Sequence, residues 1–391
     1  MLDVIIIGGG PAGSYAAYRL GMMGHKVTVL EKKPGIGKQV CCTGIIGLEC
    51  VRSFNIRDDV ILRKVNSARL FSPSGQSIKL WRGETQAAIL DRAALDMAMA
   101  SQAQSAGVEY LLDSPVTDIE IRKDSVAVVD SRQKPSLIAR AVIIASGFGS
   151  GLGEKLGLGK IGDFVMGAQT EVNTTGVDEV EVYFGHEVAP GFFAWLVPTA
   201  PGTARVGLLS RRNSKAYLDK LIISLLNQGK LVSSEAKVSC GGIPLKPPVK
   251  TYGERLLAVG DAAGQVKPTS GGGIYYSLLC ADIAADVLHQ ALESDDLSYR
   301  RLASYEQRWR RCLSQELRIG YWARKLFERL SDKQLDRIFE IVTANGIDEA
   351  LLKASDLSFD WHSKAVLRLM GHQVITRAMD VIKIPFRTGA D

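Results

Sequence analysis

The sequence predicts an α/β chain, α+β overall: a Rossmann-like nucleotide-binding domain, an antiparallel-sheet substrate domain inserted into it, and a C-terminal helical region. Three observations predict it. Residues 4–14 read as a buried strand turning tightly into a helix, residues 256–264 read as a second strand ending in glycine, and the chain between them holds a run of short strands without crossover helices. Alternating strand and helix patterns argue for a parallel sheet, whereas strands joined directly argue for an antiparallel one.

The opening, Val4-Ile5-Ile6-Ile7-Gly8-Gly9-Gly10-Pro11-Ala12-Gly13-Ser14, carries G-x-G-x-x-G at a strand-to-helix turn. Gly8 permits the turn, Gly10 lets backbone approach a pyrophosphate, and Gly13 lets the helix pack on the strand. Pro11 and Ala12 lie in the first helical turn, where free N–H groups and the positive helix end favour a diphosphate. A helix over 12–23 and a strand over 26–30 follow, so Glu31 lies where an acid holds a ribose hydroxyl, with Lys32 beside it. This is a dinucleotide site, and the motif alone does not separate NAD from FAD.

The second stretch separates them. Leu256-Leu257-Ala258-Val259-Gly260-Asp261-Ala262-Ala263-Gly264 is an apolar strand whose end places the Asp261 carboxylate against a ribityl chain. Pro268-Thr269-Ser270-Gly271-Gly272-Gly273-Ile274 then opens a helix over 274–292, and its N-terminus, at Gly272, Gly273 and Ile274, faces a flavin ring and favours negative charge on the reduced form. FAD is the expected cofactor.

At 391 residues the chain exceeds one typical domain. No segment carries about 18 uninterrupted apolar residues, and the N-terminus enters a strand directly, without a basic stretch, an apolar stretch and a cleavage site. A cytoplasmic protein is expected. The net charge of +6 is mild for this length and calls for no nucleic-acid partner. The six cysteines, Cys41, Cys42, Cys50, Cys240, Cys280 and Cys312, form no C-x-x-C pair and no zinc spacing, so no metal is expected.

Along the chain, 34–47 reads as irregular, Asp91 as the cap of a helix ending near 106, and 108–111, 116–122 and 126–130 as strands. The apolar run Ala141-Val142-Ile143-Ile144-Ala145-Ser146-Gly147 is a buried strand ending beside the cofactor at Ser146 and Gly147. Strands at 167–172, 180–184, 192–197 and 204–209 build the antiparallel sheet together with the segment 65–81. The expected division is therefore 1–64, 82–163 and 245–295 for the FAD-binding domain, 65–81 and 164–244 for the substrate domain, and 296–391 for the helical region. A pocket between two such domains is a common site for a substrate. Residues 299–329 mix eight arginines with Trp309, Tyr321, Trp322 and Phe327, a pattern compatible either with a solvated helix face or with peripheral contact to an anionic membrane.

These motifs, with Cys42-Thr43-Gly44, Leu90-Asp91-Arg92 and Phe193-Ala194-Trp195-Leu196-Val197-Pro198, resemble the geranylgeranyl reductase family, within the flavoproteins that share the p-hydroxybenzoate hydroxylase fold. The resemblance covers roughly residues 1–290; beyond residue 300 only the helical character matches. Phe193 stands where the family usually has Tyr, and Val197 where it has Phe. The resemblance implies an FAD-dependent oxidoreductase that saturates isolated C=C bonds of a geranylgeranyl or other prenyl chain on a lipid, with NADPH or ferredoxin as electron donor. It places Cys42 in the active site, as proton relay or as packing, and Thr43 and Gly44 along the isoalloxazine edge. It also puts Arg92 on the phosphates or ribityl hydroxyls, and the backbone at Val116 beside the adenine.

An unactivated alkene offers no carbonyl to polarise, so it must be held in a dry apolar slot with a hydride source on one carbon and a proton source at the other. Phe192, Phe193 and Trp195 supply such surface, with Phe193 and Trp195 on one face of their strand. A flavin monooxygenase or halogenase of the same fold, a membrane quinone oxidoreductase, and a non-catalytic flavin-binding lipid carrier or redox sensor stay open as alternatives.

Overall fold

The computed structural model describes residues 1–130, 136–233, 237–344, 346 and 358–371. Its central sheet is parallel where apolar runs are buried on both faces. Leu2–Ile7 pairs with Val27–Leu30 on one side and Leu137–Ile144 on the other, in register Val4 to Val27 and Val4 to Ala141. Glu109–Leu111 and Leu256–Ala258 extend it at the two sides. Val4, Ile5 and Ile6 have no exposed surface, as expected of strands covered by helices on one face and loops and strands on the other. Val116–Ile121 and Val126–Asp130 join it as an antiparallel flap on Leu137–Ile144.

Three helices pack on that sheet. Pro11–Met22 begins with proline at its first position, which suits a missing N–H donor. Arg92–Ser105 is capped by Asp91, whose carboxylate accepts from the N–H groups of Ala93 and Ala94 at 3.0 Å. Ile274–Glu293 is the most deeply buried, with Leu278, Ala281, Ala284, Ala285 and Leu288 all inaccessible. The long helix Tyr299–Phe327 packs against it through Leu302, Tyr305, Trp309, Leu313 and Leu317, a stripe at helical spacing. Trp309 is therefore core, its indole N–H donating to Thr251 Oγ1 at 2.9 Å, while Trp322 is 67% exposed.

The second sheet has seven strands in the order Ser239–Pro244, Phe164–Asn173, Thr203–Ser210, Phe193–Ala200, Val180–Phe184, Ser67–Phe71 and Ser77–Trp81. The early segment thus joins the later strands. One pair departs from the antiparallel expectation: Val180–Phe184 runs parallel to Ser67–Phe71, because the two strands come from distant parts of the chain and need no hairpin. One face of the sheet is covered by the helix Ser214–Asn227 through Leu218, Leu221, Ile222 and Leu225. The other face looks back toward the parallel sheet.

Three boundaries differ from expectation. The irregular stretch 34–47 ends in a short strand, Ile45–Gly47, which pairs with Ala87–Leu90. The strand expected to reach Gly147 stops at Ile144, so Ala145, Ser146 and Gly147 are irregular and lead into a turn at Phe148 and Gly149, with Gly147 at φ +74°. Asp261 lies in a 3₁₀ turn, Gly260–Ala263, beyond its strand.

Candidate active site

Between the two sheets lies a cavity of about 1100 Å³. At one side it is walled by Gly8, Gly9, Gly10, Pro11, Ala12, Glu31 and Lys32, then by Ser146, Gly147, Gly260, Asp261, Gly272, Gly273 and Ile274. Cys42, Thr43, Gly44 and Arg92 form the middle, and Phe193 and Trp195 face them from the second sheet. The structure thus brings together residues that are hundreds of positions apart. Gly13 stands behind this wall, where a Cβ would meet the Gly8 carbonyl oxygen at 1.9 Å; its part is helix-on-strand packing. Val116 is not at the cavity: it packs with Ile119 and Leu30 at the antiparallel flap, because that strand turns away from the parallel sheet's end. Phe192 is also absent from the wall; it precedes the strand and is buried with Val165 and Leu209.

The glycine turn is built to let a ligand close to backbone. Gly8 has φ +109°, and a Cβ there would collide with Ala145 O at 2.4 Å, whereas a Cβ on Gly10 would meet nothing within 4 Å. Glu31 stiffens the turn by accepting from Gly9 N at 2.8 Å and Lys33 N at 3.0 Å. Two of the helices whose N-termini reach the cavity start from glycine, Gly10 and Gly273, and no side chain caps either end. Their leading N–H groups and positive dipole ends point at one space. Two such ends suit a group with a diphosphate midway along its length and an electron-accepting ring at one end, as a flavin dinucleotide has.

The polar side chains fit the same group. Asp261 faces the cavity, and burial pushes its carboxyl up to about 6, opposed by the charge of Arg92. Arg92 pairs with Asp96 at 2.8 Å, both nearly inaccessible, and its side chain also meets the Cys42 thiol. Burial works against the guanidinium, but Cys42 and Asp96 outweigh it and hold it above its ordinary range. Asp96 is raised by burial despite Arg92. Trp195 Nε1 is buried without a hydrogen-bond partner among the described residues, a donor left for a ligand acceptor.

The Trp195 indole lies over Gly207 of the neighbouring strand, directly across the ladder; a Cβ at Gly207 would come within 2.5 Å of the ring. From there an apolar lane runs outward. Trp195 and Phe193 have ring centroids 6.0 Å apart, Phe193 and Phe184 6.3 Å, and Phe184 and Phe327 5.6 Å. Val182, Leu70 and Leu80 complete its floor. Phe327 comes from the Tyr299–Phe327 helix, which also sends in Arg324. Arg324 lies 3.7 Å from the Phe192 ring centroid, donates to the Gly191 carbonyl, and is pulled down to about 9 by burial, against Glu328.

A third group closes the cavity. Lys267, just before the glycine run, donates from Nζ to Phe359 O at 3.0 Å and pairs with Asp360 at 3.4 Å. Asp360 in turn accepts from Gly47 N and Cys50 N, both at 3.2 Å. His362 is pulled down to about 4 by burial and by Lys267, and it is therefore neutral. Its Nε2–H donates to Phe359 O at 2.8 Å, which leaves Nδ1 to accept from Thr269 Oγ1 at 2.5 Å. None of these contacts was foreseen, since 93 residues separate Lys267 from Asp360 and no local pattern marks either.

Among the described residues no helix is long and apolar enough to cross a membrane. The family model described as lycopene cyclase protein matches residues 3–344. A digeranylgeranylglycerophospholipid reductase of Methanocaldococcus jannaschii is 32% identical over 363 residues, 88% of this chain and 92% of that protein. The crystal structure of a geranylgeranyl bacteriochlorophyll reductase-like protein from Thermoplasma acidophilum superposes with a TM-score of 0.83 at 26% identity, over 97% of this chain and 99% of that one. A halogenase solved in complex with FAD shares the fold, with a TM-score of 0.68 at 15% identity over 98% of this chain and 93% of that one. With these matches running nearly its whole length, the chain belongs to the digeranylgeranylglycerophospholipid reductase family.

Proposed function

We propose that the protein is an FAD-dependent reductase that saturates isolated C=C bonds in the geranylgeranyl chains of a lipid. The observation that carries this reading is the continuity of one cavity: two uncapped helix N-termini at glycine turns open directly into the aromatic lane from Trp195 to Phe327. FAD, when bound and reduced by NADPH or ferredoxin, would supply the hydride.

The chain's own residues do the rest. Gly8 and Gly10 would admit the diphosphate to backbone N–H groups, Glu31 holds the turn rigid and would take a ribose hydroxyl, and Asp261 would accept from ribityl hydroxyls. Arg92 holds a fixed positive charge at the centre, tied by Asp96. The lane of Trp195, Phe193 and Phe184 excludes water and orients a flexible chain at its double bond, a contribution of position rather than of polarisation. Cys42 Sγ, which meets Arg92, would relay a proton to the second alkene carbon.

The test is anaerobic incubation of dithionite-reduced protein with a prenylated phospholipid, followed by mass spectrometry of the lipid. Product mass rising by one H₂ at a time supports the reading. The description of the matched family model raises cyclisation as a second reading; that reaction leaves the mass unchanged. In a parallel aerobic incubation, oxygen incorporation would point instead to monooxygenase chemistry. Unchanged or oxygenated product overturns the proposal.

A further inference from the structure

On the far side of the nucleotide-binding sheet, two histidines from distant parts of the chain meet. His25 lies in the turn after Pro11–Met22, where Gly24 at φ +85° reverses the chain. His289 lies near the C-terminal end of Ile274–Glu293. Their ring nitrogens, His25 Nε2 and His289 Nδ1, are 2.8 Å apart. Glu293 stands one turn beyond His289 on the same helix face. One donor atom from each of the three residues lies within 4.8 Å of the others, with both imidazoles half-buried and Glu293 exposed.

We propose that His25, His289 and Glu293 bind a divalent transition-metal ion. Two imidazole nitrogens and one carboxylate oxygen form the borderline donor set preferred by Zn²⁺, Ni²⁺ or Cu²⁺ over Mg²⁺ or Ca²⁺. Metal–ligand bonds of about 2.0–2.2 Å need donors roughly 3–3.5 Å apart, a spread these three atoms reach by small side-chain rotations. A water molecule takes the fourth tetrahedral position. Charges around the site agree with a cation. Arg140, the nearby positive group, is engaged by Asp3 at 3.3 Å, by Asp295 at 2.7 Å and by the Leu292 carbonyl at 2.8 Å.

The position gives the ion a consequence. His25 follows one helix and His289 ends another, and both helices present their opposite, N-terminal, ends to the cavity. An ion here ties the trailing ends of the two elements whose leading ends face the cofactor site, about 20 Å away at 1.5 Å per residue.

The experiment uses tag-free, flavin-loaded full-length protein, stripped with a chelator and titrated calorimetrically with Zn²⁺ and separately with Ni²⁺. The His25→Gln/His289→Gln double variant and Glu293→Gln are titrated alongside, with flavin absorbance as the check on folding. The proposal expects wild type to bind one more ion per chain than the double variant, and Glu293→Gln to bind that ion about tenfold more weakly. It also expects the melting temperature to rise with added Zn²⁺ in wild type and not in the double variant. Equal stoichiometry in wild type and double variant, or a melting response that survives the double substitution, overturns it; the free cysteines would then be the ligands. Neither outcome depends on the lipid reaction, so failure here leaves that reading untouched.

Discussion

Gly207→Ala tests whether the position of Trp195 governs turnover. The added Cβ would stand 2.5 Å from Trp195 Cζ2 and 2.9 Å from the Ala168 carbonyl oxygen. Ordinary carbon contacts lie near 3.5–4.0 Å, so the indole must move by about 1 Å, and the direction open to it is the cavity. Overpacking of this kind costs about 1–3 kcal/mol of stability. A misplacement of about 1 Å at a positioning surface lowers turnover by roughly 100-fold. The assay is single-turnover oxidation of the reduced flavin by prenyl lipid, with urea unfolding of the same preparations. Trp195→Phe removes the ring edge that clashes but not the Ala168 carbonyl contact, so the Gly207→Ala/Trp195→Phe double variant should recover part of the loss, with a coupling energy of about 1–3 kcal/mol. Wild-type turnover in Gly207→Ala, or strict additivity of the two substitutions, refutes the idea that the indole's seat is set by the absence of a side chain at 207.

Three further outcomes follow from the cavity's charges and length. Asp261→Asn should make the flavin-free protein more stable at neutral pH by up to about 3 kcal/mol, the equivalent of a shift from 3.8 to about 6, while weakening flavin retention. Because the folded pKa is raised, wild-type Asp261 contributes a loss of stability as pH climbs from about 4 to about 6, and the variant's pH–melting curve should lack it. Arg92→Met strands the buried Asp96 and should cost about 3–5 kcal/mol by chemical denaturation, much of it recovered in Arg92→Met/Asp96→Leu. Leu70→Trp fills the outer part of the lane, so mass spectrometry should show lost reduction of full-length geranylgeranyl chains and retained reduction of shorter prenyl chains; equal loss of both would place the chain elsewhere.

The glycine turns were legible because they answer to local rules. A strand that turns into a helix around a diphosphate needs glycine at Gly8, Gly10 and Gly13 whatever the rest of the protein does, and the structure uses each as that geometry requires. Asp91 was legible for the same reason, being a cap two and three residues from its partners. The helix Ser214–Asn227 was missed although Leu218, Leu221, Ile222 and Leu225 carry the spacing that announces one. Gly207, Arg324 and the Lys267–Asp360 pair obey no local rule. Gly207 matters only because its cross-strand neighbour is Trp195, and Arg324 only because its helix folds back over the lane. Val116 rested on the resemblance alone, because a strand's period says which side chains share a face, not which end of a sheet it approaches.

Asp360 also sets a clock on biosynthesis. It holds Gly47 and Cys50 across 313 and 310 residues of chain, and Lys267 across 93. At about 5–20 residues per second on the ribosome, roughly 15–60 s separate the emergence of the Gly47 segment from that of its partner. During that interval the nascent protein lacks this cross-brace, and its second glycine turn, Gly271 to Gly273, is itself made only late in it.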